Sequence, residues 1–474
     1  MASVRFAVTR DPSFTTVQLE RIEEAAIGIL SRVGLKIHDP ELKETVRQAG
    51  FTLRGDRALF ERRRITSFLD AERTKNGNRF GVDDRPPSPE PLTLGVSQYS
   101  QHYIDIETGE VRPFTSDALI EATKLVDALS DRGVRAGAPG TPMDVPPDLQ
   151  PVAIYHTSLT YARHGHHPLD PRSVRSHRYV MEMAECVGHP VRLLPVYLVS
   201  PLTLAGDSLA VVLAFKDRIE TAWVVSMPSI GATAPIRVGD AYALNVAEVV
   251  GSAIVLKEIT RLEIGWEIQM FPFDLRHMAM IFGSPENFLL QLASMEVNAY
   301  FHGTTWPPGA GNIHTMAKLP GPQAAAEKAS IMTVGALLGW RHFSHGGTLS
   351  LDQVFSAEQL AIDCEIKDHV TRMLEGLDGE CDPDACVRDV MAGIEHGFMG
   401  LDSTAENYRR LYWHPPLFER RFLGAWQEAG GPDIREQARA EVRRLVVSHE
   451  FRLPAELQRE IDRIYSRAER ELGR

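Results

Sequence analysis

Residues 193–199 of this chain read Leu-Leu-Pro-Val-Tyr-Leu-Val, a short apolar run that contains β-branched residues. Two further runs of this kind, 221–226 and 262–271, follow along the chain. Each run is followed by a break and then by helical periodicity, as in 239–250. Strand–helix units that recur at intervals of roughly 30–40 residues are typical of a parallel barrel or a doubly wound sheet. We therefore predict a parallel α/β core, with its chemistry in the loops that follow the strands.

The segments outside this core read mainly as helices. Residues 16–50 are helical in pattern, with a start signal at Thr15-Thr16, and Asp39 is expected to cap a second short helix that begins at Pro40. Ser284-Pro begins another helix in the same way. Residues 84–92 form a proline-rich connector, and about the last 60 residues read as polar amphipathic helices packed on the outside. The chain length of 474 residues allows one large barrel with terminal extensions, or two or three smaller domains.

Composition excludes several classes of protein. The formal net charge of −12 disfavours a nucleic-acid partner, because phosphates are neutralised by clustered lysine and arginine. The amino terminus has no apolar stretch of signal-peptide type, and the longest apolar runs are shorter than a membrane span, so we expect a cytoplasmic protein with no membrane contact. Four cysteines are too few for a disulfide scaffold, and neither Cys381/Cys386 nor His164-Gly-His-His167 has the second set of ligands that a metal site needs.

Several motifs, in one order along nearly the whole chain, resemble the trimethylamine methyltransferase family, which also contains glycine betaine methyltransferases. The opening helix is similar, and so are an Asp-x-x-Thr-Gly-x-x-Arg-Pro segment, two strand ends, an Ala-Lys…Gln-Ala…Glu-Lys motif and two late signatures. In this chain they read Arg21-Ile-Glu-Glu-Ala-Ala-Ile-Gly-Ile-Leu, Asp105-Ile-Glu-Thr-Gly-Glu-Val-Arg-Pro, Ser200-Pro-Leu-Thr-Leu, Met227-Pro-Ser-Ile-Gly-Ala-Thr-Ala-Pro, Ala317-Lys-Leu-Pro-Gly-Pro-Gln-Ala-Ala-Ala-Glu-Lys, Ser356-Ala-Glu-Gln-Leu-Ala-Ile-Asp and Trp413-His-Pro-Pro-Leu-Phe-Glu-Arg-Arg.

The resemblance implies a TIM (β/α)8 barrel over 115–410, with an N-terminal extension of helices and strands over 1–114 and C-terminal helices over 411–474. It also implies transfer of a methyl group from a small methylated amine to the Co(I) of a corrinoid (cobalamin). This chain contains no Asp-x-His-x-x-Gly motif, so the corrinoid is expected on a separate partner protein, with none bound tightly here. We also expect a homo-oligomer.

The resemblance favours a quaternary amine of the betaine type as methyl donor. Founding members of the family carry pyrrolysine near the Ala-Lys…Gln-Ala motif, whereas 319–323 contain only standard residues. His314 and Met316 also replace the small or acidic residues expected there. The alternatives are another methyl donor, such as a tertiary amine or a methylated sulfur or oxygen compound, and a barrel that binds amines without catalysis.

A quaternary ammonium needs positioning more than acid–base chemistry, since its leaving group is already a neutral amine. Ring faces attract such a cation, and histidines can hold a carboxylate. Tyr99 and Phe273 are the favoured aromatic candidates, although for every aromatic here a place in the core is the commoner alternative. The predicted substrate-binding residues are Tyr99, Tyr103, Phe271, Phe273, Tyr300, His302, His314 and Phe343.

Two residues are predicted to be catalytic. His345 lies in the turn Ser344-His-Gly-Gly-Thr, where backbone can approach a ligand closely, although it can equally be a hydrogen-bonded turn residue. Asp352 can orient a histidine or contact the cation, although capping of the helix that follows is the favoured explanation. Gly231, Ala232 and Thr233 are predicted to line a wide mouth that faces the corrinoid, or else to form a tight turn between strand and helix. No metal ligand is predicted.

Overall fold

The computed structural model describes residues 3–4, 11–82, 90–166, 170–306 and 309–473. Most of the proline-rich connector 84–92, and His167 of the histidine cluster, lie outside these residues. All positions below refer to the described part of the chain.

The N-terminal part is built from three helices and short strands. The predicted helix starts are confirmed: the Thr15 hydroxyl accepts from the Gln18 amide at 3.3 Å, and Asp39 accepts from the Leu42 amide at 2.6 Å. The elements are α1 (Thr16–Arg32), α2 (Pro40–Gln48) and α3 (Arg62–Lys75), with strands β1 (Ser3–Val4), β2 (Leu35–Ile37), β3 (Thr52–Arg54), β4 (Arg57–Leu59), β5 (Gly81–Val82), β6 (Thr93–Leu94), β7 (His102–Ile104) and β8 (Val111–Pro113).

The middle part alternates strands and helices, as the sequence predicts. Its helices are α4 (Ser116–Ala128), α5 (Gln150–Tyr161), α6 (Val174–Cys186), α7 (Asp207–Phe215), α8 (Val238–Thr260), α9 (Pro285–His302) and α10 (Pro322–Leu337). Its strands are β9 (Leu193–Tyr197), β10 (Thr203–Leu204), β11 (Thr221–Val225), β12 (Glu263–Glu267), β13 (Phe273–Asp274), β14 (Ala279–Met280), β15 (Thr305–Trp306), β16 (Ala310–Asn312), β17 (His342–Ser344), β18 (Thr348–Leu349) and β19 (Val354–Phe355).

The C-terminal part is almost wholly helical. It contains α11 (Ala357–Glu375), β20 (Leu377–Asp378), α12 (Pro383–His396), α13 (Asp402–Leu411), α14 (Leu423–Glu428), α15 (Ile434–Val447) and α16 (Ala455–Leu472). Helix α15 packs on α4 and α11, and α16 packs on α5 and α6. At the other end of the chain α1 packs on α8. The terminal helices therefore form an outer layer on the helices of the middle part.

Parallel strands form the inner layer. Strand β11 pairs in parallel with β9 and β12, and β17 pairs in parallel with β16 and β6. An isolated parallel bridge joins Leu94 to Val134 and extends the second ladder by one position. Seven segments of this parallel layer thus follow one another along the chain with helices between them; they are β6, Val134, β9, β11, β12, β16 and β17. The pairings among the described residues do not close them into a ring. The mixed α/β core is present, and the closed eight-stranded barrel remains a prediction.

Alternation along these strands shows where the core lies. Leu194, Val196, Ala222 and Val224 have no exposed surface and belong to the core that the helices cover. Strand β12 ends at Glu267, earlier than the predicted 271. The Asn298 side chain accepts from the Ile268 amide at 2.9 Å and donates to the Ile268 carbonyl at 2.8 Å, so the backbone here bonds to a helix side chain instead of a neighbouring strand.

Helix α8 is long and apolar enough, by length and composition, to cross a membrane. Fifteen of its 23 residues are buried inside the fold. Its apolar composition is therefore that of a core helix.

Candidate functional site

The loops that follow the parallel strands carry unusual backbone conformations. Seven non-glycine residues of the described chain have a positive φ angle, and five of them lie in these loops. They are Leu202 after β9, Met278 after β12, and His345, Ser350 and Leu351 after β17, with φ between 51° and 72°. Such conformations are unfavourable for bulky residues and occur often at functional sites. Carboxyl ends of parallel strands are also where α/β enzymes place their chemistry, so both observations indicate the same edge.

A row of four rings lies at this edge. Phe271, which follows β12, lies 5.5 Å from Phe282 between ring centroids. Phe282 lies 4.3 Å from His314, and His314 lies 3.5 Å from His345. The structure thus brings together three predicted site residues, which come from the loops after β12, β16 and β17.

Both histidines of the row are uncharged at neutral pH. Burial, together with the nearby Lys328, lowers the pKa of His345 from its ordinary value to about 3. Burial also lowers the pKa of His314 strongly, with His345 and Lys328 adding to the effect. The Nδ1 of His314 lies 3.0 Å from Asn312 Oδ1, and that of His345 lies 2.8 Å from Ser344 Oγ. Each ring is therefore oriented through Nδ1, and neither Nε2 has a hydrogen-bond partner among the described residues.

A fully buried ion pair holds the turn that carries His345. Lys328 Nζ donates to Asp363 at 2.7 Å and to the His345 carbonyl at 3.3 Å. The same Asp363 accepts from the Gly347 amide at 2.7 Å and from the Gln359 side chain at 2.8 Å. Neither side chain of the pair has exposed surface. Side chains of helices α10 and α11 thus hold the turn by hydrogen bonds. Burial lowers the pKa of Lys328, and the nearby Asp363 opposes this effect.

A second cluster surrounds Asp170. Tyr197, at the end of β9, donates to Asp170 at 2.6 Å, and Tyr99, after β6, also donates to this carboxylate. Burial raises the pKa of Asp170, an effect that Tyr197 and Arg172 oppose. Tyr99, a favoured candidate, thus lies beside a carboxylate at the same edge of the sheet.

Tyr99 and Asp352 line one cavity of about 490 Å³. Ser100 Oγ donates to the Asp352 carbonyl at 2.9 Å, and the Gly346 amide donates to the Gly95 carbonyl at 2.8 Å, so the loops after β6 and β17 run side by side. Burial raises the pKa of the Asp352 carboxyl. The favoured explanation of Asp352 as a helix cap is wrong, because Ser356 caps α11 by accepting from the Gln359 amide.

Tyr300 and His302 lie away from this edge, so the structure does not bring them together with the row of rings. Tyr300 donates to Glu23 of α1 at 2.9 Å. His302 stacks on Trp266 at 3.8 Å between centroids, with its Nδ1 2.9 Å from Glu72. Both lie on α9, on the face that meets the N-terminal helices. His302 also lines a cavity of about 1080 Å³ together with residues of β11, β12 and β16, and none of the four rings of the row lines this cavity.

The other aromatic candidates divide between core and surface. Phe343 has no exposed surface and packs toward Trp340 in the core, at 6.1 Å between ring centroids. Tyr103, on β7, packs against Phe114 at 5.2 Å. Phe273 is half-buried in the hairpin of β13 and β14, where it is paired with Met280.

Gly231, Ala232 and Thr233 form a compact surface turn after β11. The amides of Ala232 and Thr233 donate to the Ser229 carbonyl at 3.1 and 3.0 Å, and Thr233 Oγ1 accepts from the Ser229 amide at 2.9 Å. Gly231 has φ +82°, which only glycine adopts readily. The Ile230 amide donates to the Phe271 carbonyl at 2.9 Å and ties this turn to the row of rings. Tight turning thus accounts for the small residues, and the turn also borders the candidate site.

Across the part of the chain that the structure describes, no group of three or more histidine, cysteine or acidic side chains is arranged to hold a metal ion. Within the histidine-rich loop, His164 Nε2 lies 3.3 Å from Arg135, and His166 stacks on His189 at 4.1 Å between centroids.

Residues 5–473 match the model of the family described as Trimethylamine methyltransferase (MTTB). The chain belongs to the trimethylamine methyltransferase family. It is 24% identical to the trimethylamine methyltransferase MttB2 of Methanosarcina mazei, over 96% of this chain and 95% of that protein. It is 22% identical to the glycine betaine methyltransferase of Desulfitobacterium hafniense, over 94% of each. It is 23% identical to the proline betaine:corrinoid methyltransferase of Eubacterium limosum, over 93% of this chain and 94% of that protein.

Among solved structures, the monomethylamine methyltransferase of Methanosarcina barkeri aligns over 94% of this chain and 96% of its own, with 12% identity and a TM-score of 0.43.

For this member of the trimethylamine methyltransferase family, the motif 317–328 acquires a structural role. Glu327 accepts from the Thr315 hydroxyl and from the Met316 amide at 3.2 Å, and Lys328 forms the buried pair with Asp363. The motif therefore shapes the loops after β16 and β17. Sequence reasoning missed Lys328, Asp363, Phe282 and Asp170 as site residues. The motif itself was a signal for Lys328, whereas its pairing with Asp363 requires the packing of α10 on α11.

Proposed function

We propose that this chain transfers a methyl group from a betaine-type quaternary amine to the cobalt of a corrinoid carried by a separate protein. The observation that carries the proposal is the family match over residues 5–473, which supports methyltransferase activity. The cobalt supplies the nucleophile when the corrinoid protein is bound, and the chain supplies binding, orientation and exclusion of water.

The electrostatics of the site favour a quaternary donor. A tertiary amine must stay protonated in the site to leave as a neutral secondary amine, whereas a quaternary ammonium leaves as a neutral tertiary amine without a proton. The pKa of His345, lowered to about 3, and the lowered pKa of His314 make both rings poor proton donors at neutral pH. Tyr99 and Asp352, which line one cavity, offer a ring face and a carboxyl group to the cation.

The carboxylate end of a betaine is assigned to the Nε2 of His345, which carries the ring proton when Nδ1 accepts from the Ser344 hydroxyl. Since this ring is neutral, such a hydrogen bond is worth about 0.5–1.5 kcal/mol, less than the ~1.5–3 kcal/mol of a charged donor. The Nδ1 of His314 donates to Asn312 Oδ1, so its Nε2 is an acceptor and does not bind the carboxylate. In this arrangement His345 orients the substrate, and the cation interactions supply much of its affinity.

The edge of the sheet also fits a protein partner. Large apolar side chains are exposed in the loops that follow Val134, β9, β11, β12 and β16. A surface patch of this kind is typical of a docking site. They are Met143, Val199, Met227, Ile236, Leu275, Met278 and Leu319. We propose that the corrinoid protein docks here, over the turn 231–233. The chain has no Asp-x-His-x-x-Gly motif of its own.

The same proposal includes closure of the parallel strands into an eight-stranded barrel, with domain limits at 114/115 and 410/411. It also includes a cytoplasmic location and a homo-oligomeric state. Because β6 at Thr93–Leu94 pairs in parallel with β17, the parallel layer itself begins before residue 115.

The direct test mixes the purified chain with glycine betaine and a corrinoid protein reduced to Co(I). Dimethylglycine, detected by mass spectrometry, should form together with the absorption change of methylated corrinoid. The chain alone should release none. Absence of product with glycine betaine, proline betaine and choline would reject a quaternary donor, and product from trimethylamine alone would support the tertiary-amine alternative.

A binding experiment tests the histidine assignment separately. His345→Ala should weaken glycine betaine by about 0.5–1.5 kcal/mol, a factor of roughly 2–13, and should leave choline, which has no carboxylate, unaffected. Tyr99→Leu should weaken both ligands by about 0.5–2 kcal/mol, since the ring face is lost. Equal losses of both ligands in His345→Ala, measured by calorimetry, would show that His345 only shapes its turn.

A further inference from the structure

The side chain of Glu248, on α8, holds the loop that follows β9. It accepts from the Ser200 hydroxyl at 2.7 Å and from the Leu202 amide at 2.8 Å. Leu202 has a positive φ angle of 51°, which is unfavourable for a residue of this size. The carboxyl group therefore fixes a strained backbone directly after the strand.

Asn245 lies three residues earlier on α8, on the same face of the helix, and holds the next two loops. Its side-chain oxygen accepts from the Ser226 hydroxyl at 3.1 Å, one residue beyond β11. Its side-chain nitrogen donates to the Gln269 carbonyl, two residues beyond β12. One helix face thus sets the loops after β9, β11 and β12 relative to one another.

Stability alone is a poor explanation for these two polar groups. Asn245 and Glu248 have no exposed surface. Burial raises the pKa of Glu248, and only hydrogen bonds oppose this effect, since no cation contributes. A buried carboxylate without a cation is costly, whereas an apolar side chain of similar volume would fill the same space without that cost. Both groups therefore contribute a defined loop geometry.

The same three loops carry most of the exposed apolar side chains of the docking surface proposed above. Val199 follows β9, Met227 and Ile236 follow β11, and Leu275 and Met278 follow β12. The relative position of the loops therefore determines the shape of that surface.

We propose that Asn245 and Glu248 are positioning residues, which set the three loops for the docking of the corrinoid protein. This inference rests on the proposed function, which places that protein over these loops. Tyr99, His345 and Asp352 lie in the loops after β6 and β17, and among the described residues none of them bonds to either positioning residue. Binding of the methyl donor should therefore not depend on the α8 pair.

The first experiment measures binding of the corrinoid protein to the whole chain by calorimetry, without a methyl donor. Asn245→Leu nearly preserves the side-chain volume and removes both hydrogen bonds. It should weaken this binding by about tenfold, because loops that spend most of their time outside the docking shape lower the apparent affinity in proportion. Glycine betaine should bind as tightly as to the wild type. In the transfer assay KM for the corrinoid protein should rise, while turnover at saturation stays near the wild-type value.

Glu248→Gln separates hydrogen bonding from charge. Glutamine can accept from the Leu202 amide and donate to the Ser200 hydroxyl, so this variant should bind the corrinoid protein like the wild type. Glu248→Leu should weaken binding as Asn245→Leu does. The matched control is Ser252→Ala on the same helix, because the buried Ser252 hydroxyl has no hydrogen-bond partner among the described residues. This control should change neither affinity.

Hydrogen exchange on the free chain tests the loops without the reaction. Amides of 226–237 and 268–283 should exchange faster in Asn245→Leu, and those of 198–206 should exchange faster in Glu248→Leu. Strands β9, β11 and β12 should stay protected in both variants, which shows that the fold persists.

Unchanged loop exchange, unchanged binding of the corrinoid protein, or equal losses of betaine and corrinoid-protein binding would overturn the inference. Loss of binding in Glu248→Gln would also overturn it, because charge would then matter instead of hydrogen bonds. If Asn245→Leu does not fold, Ser200→Ala provides the same comparison, since it removes one bond and leaves α8 intact. If the wild type forms no product from any quaternary amine while the variants still weaken docking, the proposed methyl donor fails and the positioning role stands.

Discussion

Replacing Lys328 with methionine should be one of the most destabilising conservative changes in this chain. Methionine nearly preserves the length and volume of the side chain but removes the ammonium group. Asp363 would then keep the Gly347 amide and the Gln359 side chain as partners, but would lose the only cation that bonds to it among the described residues. Because neither side chain of the pair has exposed surface, water cannot replace the lost partner.

The expected loss follows from the carboxylate that remains. A buried carboxylate left unpaired costs about 3–5 kcal/mol. The two remaining hydrogen bonds reduce this cost, so we expect Lys328→Met to lose about 3 kcal/mol of unfolding free energy.

The double variant Lys328→Met/Asp363→Asn provides the control. Asparagine keeps an acceptor for the Gly347 amide and leaves no charge, so the double variant should recover about 2 kcal/mol relative to Lys328→Met. Unfolding in urea, followed by circular dichroism at pH 7, measures each free energy. If Lys328→Met costs less than about 1 kcal/mol, or if the double variant is as unstable as the sum of the two single changes, the buried ion pair does not hold the turn as we argue.

The buried His177 should make the protein sensitive to acid. Both its ring nitrogens lack hydrogen-bond partners in the described structure, and burial lowers its pKa to about 4. The neutral ring contributes to stability at pH values above its pKa in the unfolded chain, near 6.5, and this contribution is lost as pH falls toward 4. Between pH 7 and 5, the unfolding free energy of His177→Leu should therefore fall by about 2 kcal/mol less than that of the wild type. Parallel pH profiles of the two proteins in urea unfolding would contradict this. Tyr300→Phe removes the hydroxyl donated to Glu23 and should cost about 1 kcal/mol of stability without changing methyl transfer. A large fall in turnover with unchanged stability would return Tyr300 to the substrate site.

The sequence determined the local structure and the family. The runs at 193–199 and 221–226 become the strands β9 and β11, and the caps at Thr15, Asp39 and Ser284 begin helices where predicted. These features depend on neighbouring residues alone, so they can be predicted from spacing and residue type. The family follows from motifs in one order, which the match over 5–473 confirms.

Only the tertiary structure decided which residues meet. Residue type and position beside a strand indicated Tyr300 and His314 equally, yet the first faces α1 while the second stacks on His345. The difference is the side of a helix or loop that turns toward the strand ends, which no short-range pattern encodes. The pairing of Lys328 with Asp363 joins residues 35 positions apart, through the packing of α10 on α11. The sequence therefore specifies the elements and the methyltransferase family, and the long-range packing of buried charges and rings decides which residues form the candidate site.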